Sequence, residues 1–138
     1  MKSQYFWAGS PSLGDGKELS INNKSHFRAP DGSYGIASTD LYEVGNGNII
    51  MFGDSFANWS TLAFSLVHEL QHRFQWSTGF SNKWLKQFNY DIDAAWNMAE
   101  YDAHLTVLRW GYSPPPGVLY LSPYSSAVNA KFPGTIKP

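Results

Sequence analysis

The sequence predicts an α+β fold in which a small antiparallel sheet from the first half packs on two helices from the second. Three observations lead there. Two strand-like runs flank Gly45-Asn46-Gly47, and Asn-Gly tolerates the positive φ that tight hairpin turns need. Two longer stretches, about 60–76 and 91–110, repeat apolar residues at helical spacing. The chain has 138 residues, 43% hydrophobic and only 15% charged, which suits one domain with a buried core and not a disordered chain.

Residues 1–35 are rich in turn formers such as Gly14-Asp15-Gly16, Asn22-Asn23 and Pro30-Asp31-Gly32, and read as loops with short strand pieces. Ile36–Val44 and Asn48–Phe52 are the two arms of the hairpin. The first helix runs from about Ser60 to Trp76, with Asn58 or Ser60 as N-cap and Gly79 as its stop. Leu62, Ala63, Leu66, Val67, Leu70 and Phe74 fall on one side of it; Thr61, Ser65, His68, Glu69 and His72 fall on the other. The second helix runs from about Asp91 to Trp110 and ends near Gly111. The aromatic segment between them (Phe80, Trp84, Phe88, Tyr90) has room for a helical turn. The last 28 residues carry Pro114-Pro115-Pro116, Pro123, Pro133 and Pro138 and read as an irregular, Pro-rich arm packed by its tyrosines. The expected organisation is a single domain: 1–57 loops and hairpin, 58–110 a two-helix core, 111–138 the arm.

Composition excludes several kinds of chemistry. Ten Lys and Arg against eleven Asp and Glu give a net charge of −1, and no basic run exists to attract nucleic acid. There is no cysteine, hence no thiol nucleophile, disulfide scaffold or thiolate metal site. Apolar runs reach only four residues, too few for a membrane span or for the core of a signal peptide. The expectation is a cytoplasmic protein or one domain of a longer secreted one.

The chemistry concentrates in His68-Glu69-Leu70-Gln71-His72. Histidines four apart on a helix project side by side, so their ring nitrogens can converge on one cation. Glu69, one position on, is placed to reach an activated water without binding the metal, which is why H-E-x-x-H serves metal-assisted hydrolysis. A catalytic zinc site normally has three protein ligands. The second helix offers Asp93, Asn97, Glu100 and His104 within about 60° of one another on its wheel, between apolar flanks; Asp91, Asp102, Thr106 and Arg109 are assigned to the solvent face. A polar stripe between apolar flanks is costly to bury unless bonded. Glu100 is therefore the expected third ligand, with Asp93 and His104 as alternatives. His104 and Asn97 are also candidates to hydrogen-bond the ligands from outside.

The H-E-x-x-H helix followed by Ala99-Glu100-Tyr101-Asp102-Ala103-His104 resembles the gluzincin zinc metallopeptidases, in which E-x-x-A supplies the third ligand; Glu100 and Ala103 match that pattern. More narrowly, His68–Trp76 and Glu100–Leu105 resemble the small metallopeptidase-like domains at the C-termini of bacterial polymorphic toxins. The likeness covers about residues 48–110. It implies a zincin-like fold, a Zn2+ cofactor held by His68, His72 and Glu100, and Glu69 as general base. It further implies a peptide or protein substrate, with strand Asn48–Phe52 lining the cleft and pairing with the peptide. In thermolysin-like members an Asp four residues after the ligand Glu orients a zinc-binding His; here that position is His104, so either the orienting role has moved, to a residue such as Asp93 or Asn97, or the site is built differently. Tyr101, His104, Tyr112, Tyr120 and Tyr124 are candidates to steady an oxyanion. The expected function is a zinc-dependent metallopeptidase. The alternatives are a non-catalytic interaction module with a structural or vestigial zinc site, and a zinc amidase acting on cell-wall peptides.

Overall fold

The computed structural model describes residues 19–28, 34–42, 45–116 and 121–137. Among the described residues, five short strands, β1 (Leu19–Ile21), β2 (Phe27–Arg28), β3 (Tyr34–Gly35), β4 (Ala37–Thr39) and β5 (Ile49–Met51), and a 3-10 turn at Gly53–Phe56 precede four α-helices, α1 (Trp59–Ser77), α2 (Phe80–Gln87), α3 (Ile92–Arg109) and α4 (Leu121–Lys131). The class is α+β, as the sequence predicts. The expected loops of residues 1–18 lie outside the described residues.

The hairpin forms with shorter arms than expected. β4 and β5 pair antiparallel, Ala37 opposite Met51 and Thr39 opposite Ile49, and Asp40 N–H donates to Asn48 O at 3.0 Å before the loop begins. The sheet is mixed and not purely antiparallel, because β1 joins β5 in parallel and gives the order β1-β5-β4. The chain between them, which carries β2, β3 and β4, makes the long connection that a parallel neighbour requires. This corrects one expectation: both sides of β5 are already paired, so Asn48–Phe52 has no edge left for an extended peptide.

Asn58 caps α1, its Oδ1 accepting from Thr61 N–H at 2.8 Å. The helix stops at Thr78, and Gly79 (φ 84°) turns the chain directly into α2. Asn89 and Tyr90, both left-handed (φ 55° and 64°), reverse it again, and Asp91 Oδ1 caps α3 by accepting from Ala94 N–H at 3.0 Å. Ala95, Ala99, Ala103 and Val107, four residues apart, are all fully buried. This small-residue stripe lets α3 approach α1 closely and antiparallel, with Gln75 bonded to Ala99 and His72 to Glu100.

Residues 121–131 are a helix, which corrects the irregular arm. Pro123 falls in the first turn, where its missing N–H has no intrahelical acceptor to lose. Val128 and the following Ile136 join Phe88, Ala94 and Ala95 in the apolar core, flanked by Tyr42, Trp84, Met98, Tyr101 and Phe132. Asn129 secures the tail, its Nδ2 donating to Ile136 O (2.8 Å) and its Oδ1 accepting from Ile136 N–H (2.9 Å). Among the described residues, no helix is long and apolar enough to cross a membrane.

Candidate metal centre

An amphipathic helix ordinarily buries its apolar side. α1 does the reverse. Thr61, Ser65, His68, Glu69, His72, Arg73 and Gln75 are buried, while Leu62, Leu66, Val67 and Leu70 are only half-buried and Phe74 is 50% exposed. Burial of polar groups is least costly where they are bonded to one another, and the facing surfaces of α3 and β4 provide partners for His68, Glu69, His72 and Gln75.

His68, His72 and Glu100 converge. His72 Nε2 lies 3.1 Å from His68 Nε2 and 3.0 Å from Glu100 Oε1, and His68 Nε2 lies 3.2 Å from Glu100 Oε2. A tetrahedral ion with bonds of about 2.0–2.1 Å spaces its ligand atoms about 3.3–3.4 Å apart, and one ligand atom from each of these three residues lies within 4.8 Å of the others, close enough to hold one metal ion.

Gln75 Nε2 donates to Ala99 O (3.0 Å) and Asp102 Oδ2 (2.8 Å), both acceptors. Its Oε1 therefore faces His72 Nδ1 at 2.8 Å, and Nδ1 carries the proton. Neutral His72 then presents a lone pair at Nε2 toward a carboxylate oxygen, acceptor against acceptor, which only a cation reconciles. Without a metal, the cation is a proton. Burial lowers the proton affinity of His72, but the Glu100 carboxylate beside it outweighs this and holds it up at about 9. Burial likewise raises the Glu100 carboxyl, and the two histidines overcome that and keep it well below the usual carboxylate range.

Glu69 Oε2 sits 3.9 Å from His68 Nε2, beside the group and not within it. Thr39 of β4 orients it, donating from Oγ1 to Glu69 Oε1 at 2.7 Å. Thr39 is held there because the hairpin loop is anchored to the end of α1. Trp76 Nε1–H donates to Gly45 O (2.6 Å), and its ring covers Gly47 so closely that a Cβ there would come within 2.8 Å of it. Burial pushes the Glu69 carboxyl up; His68 and His72 pull it back and Glu100 adds to the rise. That is the direction a carboxylate needs in order to take and return a proton near neutral pH. Trp96 forms a wall against the His72 ring, centroids 5.3 Å apart.

His104 stands just outside the group, with Nε2 3.7 Å from Glu100 Oε2. Its ring stacks on Tyr124 of α4 (5.3 Å, 17°) and meets His68 edge-on at 4.4 Å. Burial, then the charge of His68, push its proton affinity down to about 3, so it is a neutral imidazole. Asp93 and Asn97 do not reach the site: Asp93 is exposed, and Asn97 Nδ2 donates to Asp93 O on its own helix. Asp102, assigned to solvent from the sequence, is half-buried and accepts from both Gln71 and Gln75 at 2.8 Å. Of the tyrosines, Tyr124 reaches the site through His104, Tyr101 packs on the apolar core, Tyr112 is 37% exposed, and Tyr120 lies outside the described residues. Sequence reasoning missed Thr39, Gln71, Gln75 and Asp102. Only Gln75 carried a signal, a polar side chain one turn beyond His72 and able to reach its Nδ1. Compared with known proteins, the chain matches no family model, no curated protein and no solved structure.

Proposed function

We propose that the protein is a zinc-dependent hydrolase of the gluzincin type, cleaving peptide bonds. One observation carries the reading: His68 Nε2 and His72 Nε2 lie 3.1 Å apart and face the two oxygens of Glu100, at 3.2 Å from Oε2 and 3.0 Å from Oε1, with a separately held carboxylate, Glu69, alongside. Two imidazoles and one carboxylate suit zinc and leave a fourth position for water. Zinc bound there supplies a Lewis acid that acidifies water and polarises a carbonyl. Glu69 takes the proton from the attacking water and returns it to the leaving amine. Thr39 keeps one Glu69 oxygen occupied, so the other is the one aimed at the water. Trp96, 36% exposed, offers an apolar wall beside the reacting centre. The test is a Glu69→Gln variant, which should keep its metal and lose hydrolysis of a mixed peptide library that the wild type cuts.

A second reading, a structural metal site in an interaction module, is favoured by burial. His68, Glu69 and His72 are only 6, 4 and 1% exposed, and Glu100 has the most open side chain of the group, at 20%. Under this reading, zinc removal lowers the unfolding temperature of the wild type, and no substrate in the library is cut.

A further inference from the structure

We propose that Gln75 and Asp102 form a relay that presets His72 in its metal-binding tautomer, with Asp102 as the anchoring charge. In many metal sites a carboxylate or a backbone carbonyl contacts the outer nitrogen of a ligating histidine directly. Here an amide intervenes. His72 Nδ1–H donates to Gln75 Oε1 (2.8 Å), and Gln75 Nε2 donates to Asp102 Oδ2 (2.8 Å) and to Ala99 O (3.0 Å). A flipped amide would set its oxygen against two acceptors, so these partners fix the orientation of Gln75. Gln75 and His72 are 0% and 1% exposed, and water does not compete for these bonds.

The relay runs between the two helices that carry the ligands. His72 and Gln75 are one turn apart on α1, and Asp102 is two residues beyond Glu100 on α3, so the bonds that fix the tautomer also fix where Glu100 stands relative to His72. Gln71 supplies an internal comparison. It donates to the same Asp102 oxygen at 2.8 Å and bridges the same helices, but its amide is not the group bonded to His72.

This inference rests on the metal-ion reading of the cluster, and it predicts an ordered loss of zinc affinity, measured by competition with a chelator. Gln75→Leu removes the acceptor and should weaken zinc binding about 10- to 100-fold. Asp102→Ala leaves Gln75 its bond to Ala99 O and should cost less. Gln71→Leu should stay near the wild type. The His72 Nδ1–H resonance in a long-range proton–nitrogen spectrum of the zinc-loaded protein should persist in Gln71→Leu and be lost or shifted in Gln75→Leu. Should Gln75→Leu fail to fold, Asp102→Ala against Gln71→Leu carries the same comparison at half-buried positions. Equal losses for the Gln71 and Gln75 variants, or no loss at Gln75 in a protein that binds zinc, would overturn the relay alone. A wild type that takes up no zinc yet keeps the Nδ1–H resonance would overturn the metal reading and leave the tautomer assignment standing.

Discussion

Replacing Glu100 by alanine removes the one carboxylate from the His68–His72–Glu100 group and leaves two neutral imidazoles to hold a dication. The free energy of a four-ligand structural zinc site, about 10–16 kcal/mol, divides to about 2.5–4 kcal/mol per ligand, or roughly 10²- to 10³-fold in affinity. Both Glu100 oxygens are engaged, at 3.0 Å from His72 and 3.2 Å from His68, so nothing in the group substitutes for them. His104, at 3.7 Å from Glu100 Oε2, is beyond hydrogen-bond length. Its loss should cost no more than the lower end of the 10- to 100-fold typical of an outer partner. Zinc titrated into Glu100→Ala and His104→Ala against a chelator of known affinity reads the two directly, with circular dichroism to check folding. A larger loss for His104→Ala would transfer the ligand role to His104 and refute the assignment of Glu100.

The zinc-free protein should show a pH dependence set by the same pair. His72 is held at about 9 against an unfolded value of about 6.5, so its contribution to stability is complete below about pH 6.5 and disappears as pH rises through about 9; chemical denaturation across that range should lose this slope in Glu100→Gln. Ala103→Leu, at a position with 0% exposure between α1 and α3, should destabilise by about 1–3 kcal/mol through overpacking and weaken zinc binding by separating the helices; unchanged zinc affinity would mean that close approach of the helices does not position Glu100. Phe88→Ala, 1% exposed in the core that α4 completes, should cost about 3–5 kcal/mol, a fall of about 10–25 °C in thermal midpoint, and a fall under 5 °C would contradict the docking of α4.

The helix that carries the histidines was legible almost to the residue, because Asn58 and Gly79 are strong boundary signals and the apolar spacing between them is regular. Which side of it faces inward was not. Periodicity separates two faces, and burying the apolar one is the default; here the polar face is buried where α3 and β4 bring His68, Glu69, His72 and Gln75 partners that lie far away in sequence. The same limit hid Thr39 and Asp102, whose roles exist only once the elements are packed. Glu100 was legible from its wheel position, whereas Asp93 and Asn97, on the same stripe, sit toward the start of α3, and the structure leaves them outside the site. The Pro-rich composition after Gly111 obscured α4, although Leu121, Tyr124, Val128 and Phe132 are spaced as one helical face and a proline in a first turn is compatible with it. The parallel pairing of β1 with β5 had no local signal, since a crossover register depends on long-range packing.

The most direct test of the central claim is elemental analysis of the purified protein after dialysis against zinc, alongside His68→Ala and Glu69→Gln. A metal centre built from His68, His72 and Glu100, with Glu69 beside it and not in it, predicts close to one zinc per chain in the wild type and in Glu69→Gln, and loss of zinc in His68→Ala. Full zinc retention in His68→Ala, or loss of zinc in Glu69→Gln to the same degree, would contradict it.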